Sequence, residues 1–331
     1  MKKIISLLLV LVMMLGVFAA CAPTEEPPAG GDVTVRIAGM TGPTSMGLVK
    51  LAEDNANGKA EGKYEITTTY AKADEILPKL TRGELDMAAL PANVAATLYK
   101  NGGGAISVLA INTLGVVNIV EKGDSIQSLA DLAGKKIYAI GKGTTPELGL
   151  RYLLAQKGVN YDDLTIEWKS QATDVLPLLK AEENAIAMIP QPFATAACLQ
   201  VEGLRVALDL NAEWNALENG SQFVTGVLVA RRAFIEEHPE AVATFLAEYE
   251  ASVAYAKANA EETAPLIVKY GIMDKEPLAK AALPKCNLTF IAGAEMKTVL
   301  SGYLQTLFDA NPQSVGGEMP NDAFYYVAKA D

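Results

Sequence analysis

The chain has 331 residues, half of them hydrophobic and a fifth charged, which is enough for two domains of ordinary size with buried cores. Its formal net charge of −11 argues against nucleic acid or an anionic membrane surface as a partner. The single histidine, His238, excludes metal sites built on several histidines.

The start of the chain has the pattern of a secretory leader. Two lysines precede a run over 4–20 that is almost wholly apolar, and small residues then precede Cys21 as in bacterial lipoprotein cleavage sites. A transmembrane anchor is the alternative interpretation. We expect a signal peptide over 1–20, lipidation at Cys21 that anchors the protein to the cell membrane from outside, and a flexible tether over 21–32.

The first part of the mature chain alternates strands with helices. Strands are predicted over 33–38, 64–70, 87–90 and 105–111. Helices are predicted after Gly42, from Asp74 and after Pro91. This alternation predicts a mainly parallel sheet with helices on both faces.

A second unit of the same design begins near Leu114. Its strands are predicted over 136–140, 164–168, 185–189 and 204–208. Residues 76–95 correspond to residues 175–194 at a constant separation of 99, with prolines thirteen residues apart in both copies. We interpret this as two similarly built α/β lobes, because coincidence in an Ala/Leu-rich chain is the weaker explanation.

After Trp214, an apolar run over 223–229 is expected to cross back to the first lobe. The remainder is predicted to be helical, starting with a long helix at Pro239. The predicted fold class is α/β, with two doubly wound lobes of mainly parallel sheet hinged around a central ligand cleft. Lobe 1 is expected to comprise 33–115 plus 222–331, and lobe 2 to comprise 116–221.

Catalytic chemistry has little support in the sequence. His238 precedes Pro239 at a helix start, and no serine or cysteine nucleophile has an obvious setting near it. Asp86 precedes a buried strand and is interpreted as a turn residue. Cys198 and Cys286 are expected to be separate thiols, because a chain of this size needs no disulfide. We therefore predict no enzyme activity, no metal and no cofactor.

One stretch, Gly141–Leu154, has the features of a ligand-binding turn at the start of a helix. It follows a short apolar strand, turns on two glycines and enters a helix with Thr144 or Thr145 as N-cap. The free N–H groups and the helix dipole there favour an electron-rich group. The spacing fits neither a dinucleotide-binding nor a P-loop pattern. Gly42–Leu51 repeats the design in the first lobe.

The loops at the carboxyl ends of the predicted strands are rich in small, hydroxyl and amide residues, which suits a small polar solute between two lobes. The candidate ligand-binding residues are Thr44, Ser45, Met46, Asn93, Gly143, Thr144, Thr145, Gln171, Gln191 and Trp214. Trp168 and Trp214 would either stack on a planar ligand or lie in the core.

Several motifs in order carry a resemblance to a known family. They are residues 42–45, 83–86, 89–91, 141–146, 190–193, 226–229 followed by Arg231, and 238–242. With them the chain resembles the solute-binding lipoproteins of bacterial ABC importers, in the branch for nitrate, sulfonate, taurine and thiamine-pyrimidine precursors. The resemblance implies a type II periplasmic-binding-protein fold that closes on a small-molecule solute and delivers it to an ABC permease. We expect a monomer.

The solute is expected to be a neutral or weakly charged organic molecule. Lys142 and Lys169 are the only basic residues in or beside the proposed loops, whereas strong anions usually require basic groups in the cleft. Two alternatives stay open: an enzyme of thiamine-pyrimidine type, which would need a histidine in the cleft, and a signalling or adhesion lipoprotein that feeds no importer.

Overall fold

Two mixed β-sheets form the framework of residues 33–328, the part of the chain that the computed structural model describes. The strands are β1 (Thr34–Met40), β2 (Lys63–Tyr70), β3 (Met87–Pro91), β4 (Ile106–Leu114), β5 (Val117–Lys122), β6 (Lys136–Ala139), β7 (Thr165–Trp168), β8 (Ile186–Pro190), β9 (Leu204–Asp209), β10 (Val224–Arg231) and β11 (Leu288–Ala292). The predicted leader, the lipidation site Cys21 and the tether lie outside the described residues.

Thirteen α-helices cover the sheets in the same part of the chain. They are α1 (Pro43–Met46), α2 (Val49–Ala56), α3 (Ala73–Thr81), α4 (Ala92–Asn101), α5 (Thr145–Gln156), α6 (Leu176–Ala181), α7 (Phe193–Gln200), α8 (Leu210–Asn215), α9 (Arg232–Glu237), α10 (Pro239–Ala258), α11 (Ala260–Lys269), α12 (Glu276–Ala282) and α13 (Gly293–Ala310). No helix in residues 33–328 is long and apolar enough to span a membrane.

The two sheets share one topology apart from the additional edge strand β11 in the first. The first has the strand order β11-β4-β10-β3-β1-β2 and the second the order β7-β6-β8-β5-β9. In each sheet one strand, β10 or β5, inserts antiparallel between two strands that run the other way. β3 and β8 lie 99 residues apart, as the internal repeat predicts. The predicted α/β class is therefore confirmed, and the sheets are mixed, because four strand pairs are parallel and five are antiparallel.

The chain passes between the sheets twice. The first crossing is the pair Gly115–Val116 between β4 and β5, and the second follows α8 and enters β10 at Val224. The sequence analysis did not predict β5, β11, α8 or α9. β5 was missed because only two residues separate it from β4, so the sequence shows one continuous apolar run. Its pairing with the distant strands β8 and β9 is what identifies it as a separate strand.

Apolar side chains fill three clusters. One packs α2, α10 and α11 against the first sheet, and one packs α6 and α7 against the second sheet. The largest includes residues of both sheets together with α5 and α13, so the halves share an apolar core on the side of the crossings. Trp214 lies in that shared core, stacked on Phe223 with 4.9 Å between ring centroids. Burial of such aromatic surface holds the crossing segments in place.

Asp86 is a buried ion-pair centre in the first sheet. It is 1% exposed and accepts hydrogen bonds from Arg36 Nε at 2.9 Å and Arg231 Nη2 at 2.8 Å. Burial acts to raise the pKa of Asp86, and these bonds outweigh it and hold that pKa below its ordinary value. Asp86 does lie at a bend directly before β3, as interpreted, but the sequence analysis missed its ion-pair role, because its partners come from β1 and β10. Cys198 and Cys286 are free thiols, as predicted.

Candidate functional site

A cavity of about 150 Å³ lies where the carboxyl ends of six strands meet. Its wall begins directly at or after the ends of β1, β2 and β3 in the first sheet and of β6, β7 and β8 in the second. The lining residues are Met40, Thr41, Pro43, Thr44, Ala71, Pro91, Ile140, Gly141, Thr144, Thr145, Pro146, Ser170, Gln171, Ala172, Thr173, Pro190, Phe193 and Thr225. This is the position at which open α/β sheets bind ligands.

The chemistry of this wall is neutral. None of its lining residues carries a charged side chain, and seven carry hydroxyl groups. Prolines occur in related positions of the two halves, Pro91 with Pro190 as the last residues of β3 and β8, and Pro43 with Pro146 at helix starts. A hydroxyl both donates and accepts hydrogen bonds, so the wall suits carbonyl, amide or hydroxyl groups.

In the first sheet's wall, only one of three neighbouring candidates lies on the cavity. Thr44 lines it and is 8% exposed. The Ser45 hydroxyl donates to the Met40 carbonyl at 2.7 Å, and Met46 is fully buried in the apolar cluster beneath the sheet. Ser45 and Met46 therefore shape the backbone that presents Thr44, and neither lines the cavity.

Asn93 joins the two halves of the molecule. Its Nδ2 donates to the Gly143 carbonyl at 3.1 Å, and its Oδ1 accepts from Thr145 Oγ1 at 3.3 Å. Nδ2 also lies 3.4 Å from the Ser314 carbonyl. Asn93 and Thr145 are both buried, and these bonds link the start of α4 in one half to the N-terminus of α5 in the other.

The predicted ligand-binding turn before α5 already binds a carboxylate of its own helix, that of Glu147. Gly143 N donates to Glu147 Oε2 at 2.7 Å, while Tyr161 Oη donates to Glu147 Oε1 at 2.9 Å and Arg151 Nε to the same oxygen at 3.0 Å. The Thr144 hydroxyl donates to the Gly141 carbonyl at 2.8 Å, so it braces the turn and still has lone pairs to accept.

Burial and hydrogen bonding act in opposite directions on Glu147, which is 6% exposed. Burial acts to raise its pKa, and the bonds from Gly143, Tyr161 and Arg151 together hold that pKa below its ordinary value. Glu147 is therefore ionised near neutral pH.

The remaining predicted site residues are spread more widely. Gln171 lines the cavity from the end of β7. Gln191 Oε1 accepts from Thr195 N at 3.2 Å, and its side chain lines a separate crevice beside the first crossing. Trp214 is fully buried, and its Nε1 donates to Ser221 Oγ at 3.0 Å. Its ring is thus a core element and not a cavity wall, whereas Trp168 lines a wider outer pocket.

Thr225 is a cavity residue that the sequence analysis missed. It follows Val224 in β10 at a break in register, where Val224 pairs with Leu114 and Gly226 with Thr113. Its Oγ1 is buried without a hydrogen-bond partner among the described residues. A bulge beside a binding site commonly re-aims a side chain. A threonine inside the otherwise apolar run over 223–229 is the signal that could have found it.

Two larger spaces adjoin the cavity. The outer pocket, about 640 Å³, is lined partly by Lys72, Asp74, Lys142 and Lys169. A groove of about 360 Å³ with a mixed apolar and polar lining opens on the other side. Lys72 comes from the loop after β2, so the first half also brings a basic group near the cleft, which the sequence analysis did not anticipate. Charged side chains therefore line both adjoining spaces, with Asp274 and Lys275 in the groove, whereas none lines the central cavity.

Solved structures share this architecture. The chain superposes on an ABC transporter protein from Parabacteroides distasonis with a TM-score of 0.72 at 22% identity, covering 89% of this chain and 99% of that one. For the periplasmic aliphatic sulphonate binding protein SsuA from Escherichia coli the TM-score is 0.68 at 20% identity, covering 85% and 93%. For the periplasmic nitrate-binding protein NrtA from Synechocystis it is 0.59 at 13% identity, covering 87% and 85%.

These likenesses and the paired sheets define the class as the two-lobed fold of periplasmic solute-binding proteins. Among curated proteins, a binding protein of Brucella abortus is 24% identical over 258 residues, which is 78% of each chain. The family model described as NMT1/THI5 like matches residues 63–263. The chain therefore belongs to the NMT1/THI5-like family.

Proposed function

We propose that this protein is the extracytoplasmic substrate-binding component of an ABC importer and that it captures a small, neutral or weakly charged organic solute between its two lobes. One observation carries the proposal: the cavity at the meeting point of both sheets is lined by hydroxyl and apolar groups without a charged side chain. Sulphonate and nitrate, which the names of two structural neighbours specify, are anions for which such a wall offers little.

The cavity also limits the size of the solute body. A cavity of about 150 Å³ in another protein is large enough to hold benzene. The space here is of the same size, so the enclosed part of the solute corresponds to about one six-membered ring. Thr44 and Thr225 would bind it from the first half, and Thr144 and Gln171 from the second. Longer solutes would extend into the adjoining pockets.

Capture would couple to closure of the two predicted lobes. The bodies that move would be lobe 1, which comprises 33–115 plus 222–331, and lobe 2, which comprises 116–221. The bonds from Asn93 to Gly143 and Thr145 join these bodies beside the cavity. A solute that contacts both walls has a higher affinity for the closed arrangement and therefore shifts the population toward it. The closed form would be the one that the membrane permease receives.

A binding function is a better fit than catalysis. His238 lies between α9 and α10, where its ring packs 5.1 Å from the ring of Phe234, and it lines none of the cavities described above. A thiamine-pyrimidine enzyme that uses a cleft histidine would need a different placement. We also propose attachment through lipid at Cys21 and a monomeric state, by which the protein would remain close to its permease.

A thermal-shift screen with matched solutes tests the proposal. Protein freed of solute would be mixed with neutral single-ring compounds and their anionic counterparts, for example benzamide and benzoate. We expect stabilisation by a neutral member, because a ligand bound only to the folded state raises Tm. The variant carrying Thr44→Ala and Thr144→Ala should lose that shift. A shift that persists undiminished in this variant, or one produced by the anions alone, would contradict the proposed site.

A further inference from the structure

We propose that Glu147 is a specificity-determining residue that keeps anionic solutes out of the cleft by occupying the anion-binding position at the start of α5. The inference rests on the proposed function and names the solute class that the site rejects. It begins from the turn that precedes α5, a helix of twelve residues. The N-terminus of such a helix attracts negative charge, because its first N–H groups are unpaired and the dipole is positive there.

The Glu147 carboxylate places a negative charge at this helix start and accepts the backbone N–H that directly precedes the N-cap Thr144. Its Oε2 accepts from Gly143 N at 2.7 Å, and Gly143 lines the outer pocket that adjoins the central cavity. An anion bound at the turn would have to displace this carboxylate or lie beside it. Like charges at such separations repel, and the cost grows as water is excluded.

The carboxylate is held in place from behind. Tyr161 Oη and Arg151 Nε both donate to Oε1, and the Arg151 guanidinium lies 3.4 Å from the centroid of the Tyr161 ring. These contacts fix the side chain in one orientation. The Glu147 carboxylate faces the turn at Gly143, and Arg151 follows one turn further along α5. The charges of this pair therefore oppose the helix dipole at the place where a solute would bind.

Replacement of Glu147 should therefore reverse the preference. Glu147→Gln retains the shape of the side chain but leaves Arg151 unpaired, while Lys142 and Lys169 still line the outer pocket. The local charge changes from balanced to positive, and the turn becomes attractive to a small anion. A neutral solute does not interact strongly with either charge, so its affinity should change little.

The test measures binding of sodium nitrate and sodium methanesulfonate by calorimetry at constant ionic strength. Wild-type protein should show no saturable binding up to the highest salt concentration tested, and Glu147→Gln should bind at least one of them with a Kd roughly tenfold or more below that concentration, a difference of about 1.4 kcal/mol. Glu202→Gln removes the same charge from an exposed position and should gain nothing. Should Glu147→Gln not fold, the variant that also carries Arg151→Gln removes both charges, and a smaller gain is expected.

The outcomes separate the two proposals. Saturable binding of either anion by wild-type protein would overturn both the role of Glu147 and the neutral-solute assignment. Failure of the single and double variants to gain anion binding, with a neutral solute still stabilising the wild type, would overturn the role of Glu147 alone.

Discussion

Removal of the unpaired hydroxyl of Thr225 is predicted to change the stability of the protein and its affinity for the solute in opposite directions. The Oγ1 atom is buried without a partner, and leaving such a group unpaired costs about 1–3 kcal/mol. Thr225→Val retains the shape of the side chain and removes the unpaired group. We therefore expect solute-free protein to become more stable by about 1–2 kcal/mol.

For a chain of this size that gain corresponds to a rise in Tm of about 2–4 °C. Binding should weaken at the same time, because a lost hydrogen bond contributes about 0.5–1.5 kcal/mol, or roughly two- to twelvefold in affinity. Thermal unfolding of protein stripped of solute measures the first effect, and calorimetry with a solute that stabilises the wild type measures the second.

Thr225→Ser is the matched control, since it keeps the hydroxyl and should preserve binding. A lower Tm for solute-free Thr225→Val would refute the reasoning, because it would show that the hydroxyl has a stabilising partner. Unchanged affinity in Thr225→Val would show that the hydroxyl does not contact the solute.

Two further substitutions test the surroundings of the site. Gly226→Ala would place a Cβ against Thr44 Cγ2 and should weaken solute binding about tenfold in calorimetry by displacing that residue, whereas Gly302→Ala, which meets nothing within 4 Å, should leave binding intact. Equal binding by both alanine variants would contradict the packing argument. Asp86→Asn should lower the free energy of unfolding in urea by about 3–5 kcal/mol, because it breaks a buried ion-pair centre. Since the folded pKa of Asp86 is depressed, its stabilisation is present above the unfolded pKa near 3.9 and is lost as pH falls through the folded pKa. The variant should therefore lose less stability on acidification than the wild type, and equal losses would contradict this assignment.

The sequence predicted those parts of the fold that local pattern and internal repetition specify. The alternation of strands and helices gave the α/β class, and the correspondence of 76–95 with 175–194 anticipated that β3 and β8 occupy equivalent places. β11 was not foreseen, because its strand character depends on pairing with β4 far away in the chain.

The site was predictable to the extent that strand ends specify it. Thr44, Thr144 and Thr145 follow strands whose carboxyl ends converge, and the structure places all three on one cavity. Their role in binding stays a prediction. Trp214 could not be placed from sequence, because its burial depends on Phe223 and on aromatic residues of α5 and α13.

Asp86 and Glu147 show the same limit for charged residues. Each is surrounded by partners that fold topology or helix geometry supplies, and neither set of partners is evident from the neighbouring sequence. A carboxylate one turn into α5 was visible in the sequence. Its bond to Gly143 N became visible only in the structure. Because of that bond, the Gly143 N–H of the turn is already paired with a carboxylate and is not free for an anion.

Native mass spectrometry of protein purified without dialysis tests the central claim most directly. A solute retained from the expression host would appear as a discrete mass increment, and tandem fragmentation would give its composition. We predict a single neutral or weakly charged organic molecule with a core of about one ring, at reduced occupancy in the Thr44→Ala, Thr144→Ala variant. Retention of nitrate, a sulfonate or another strong anion, at equal occupancy in both proteins, would contradict the account.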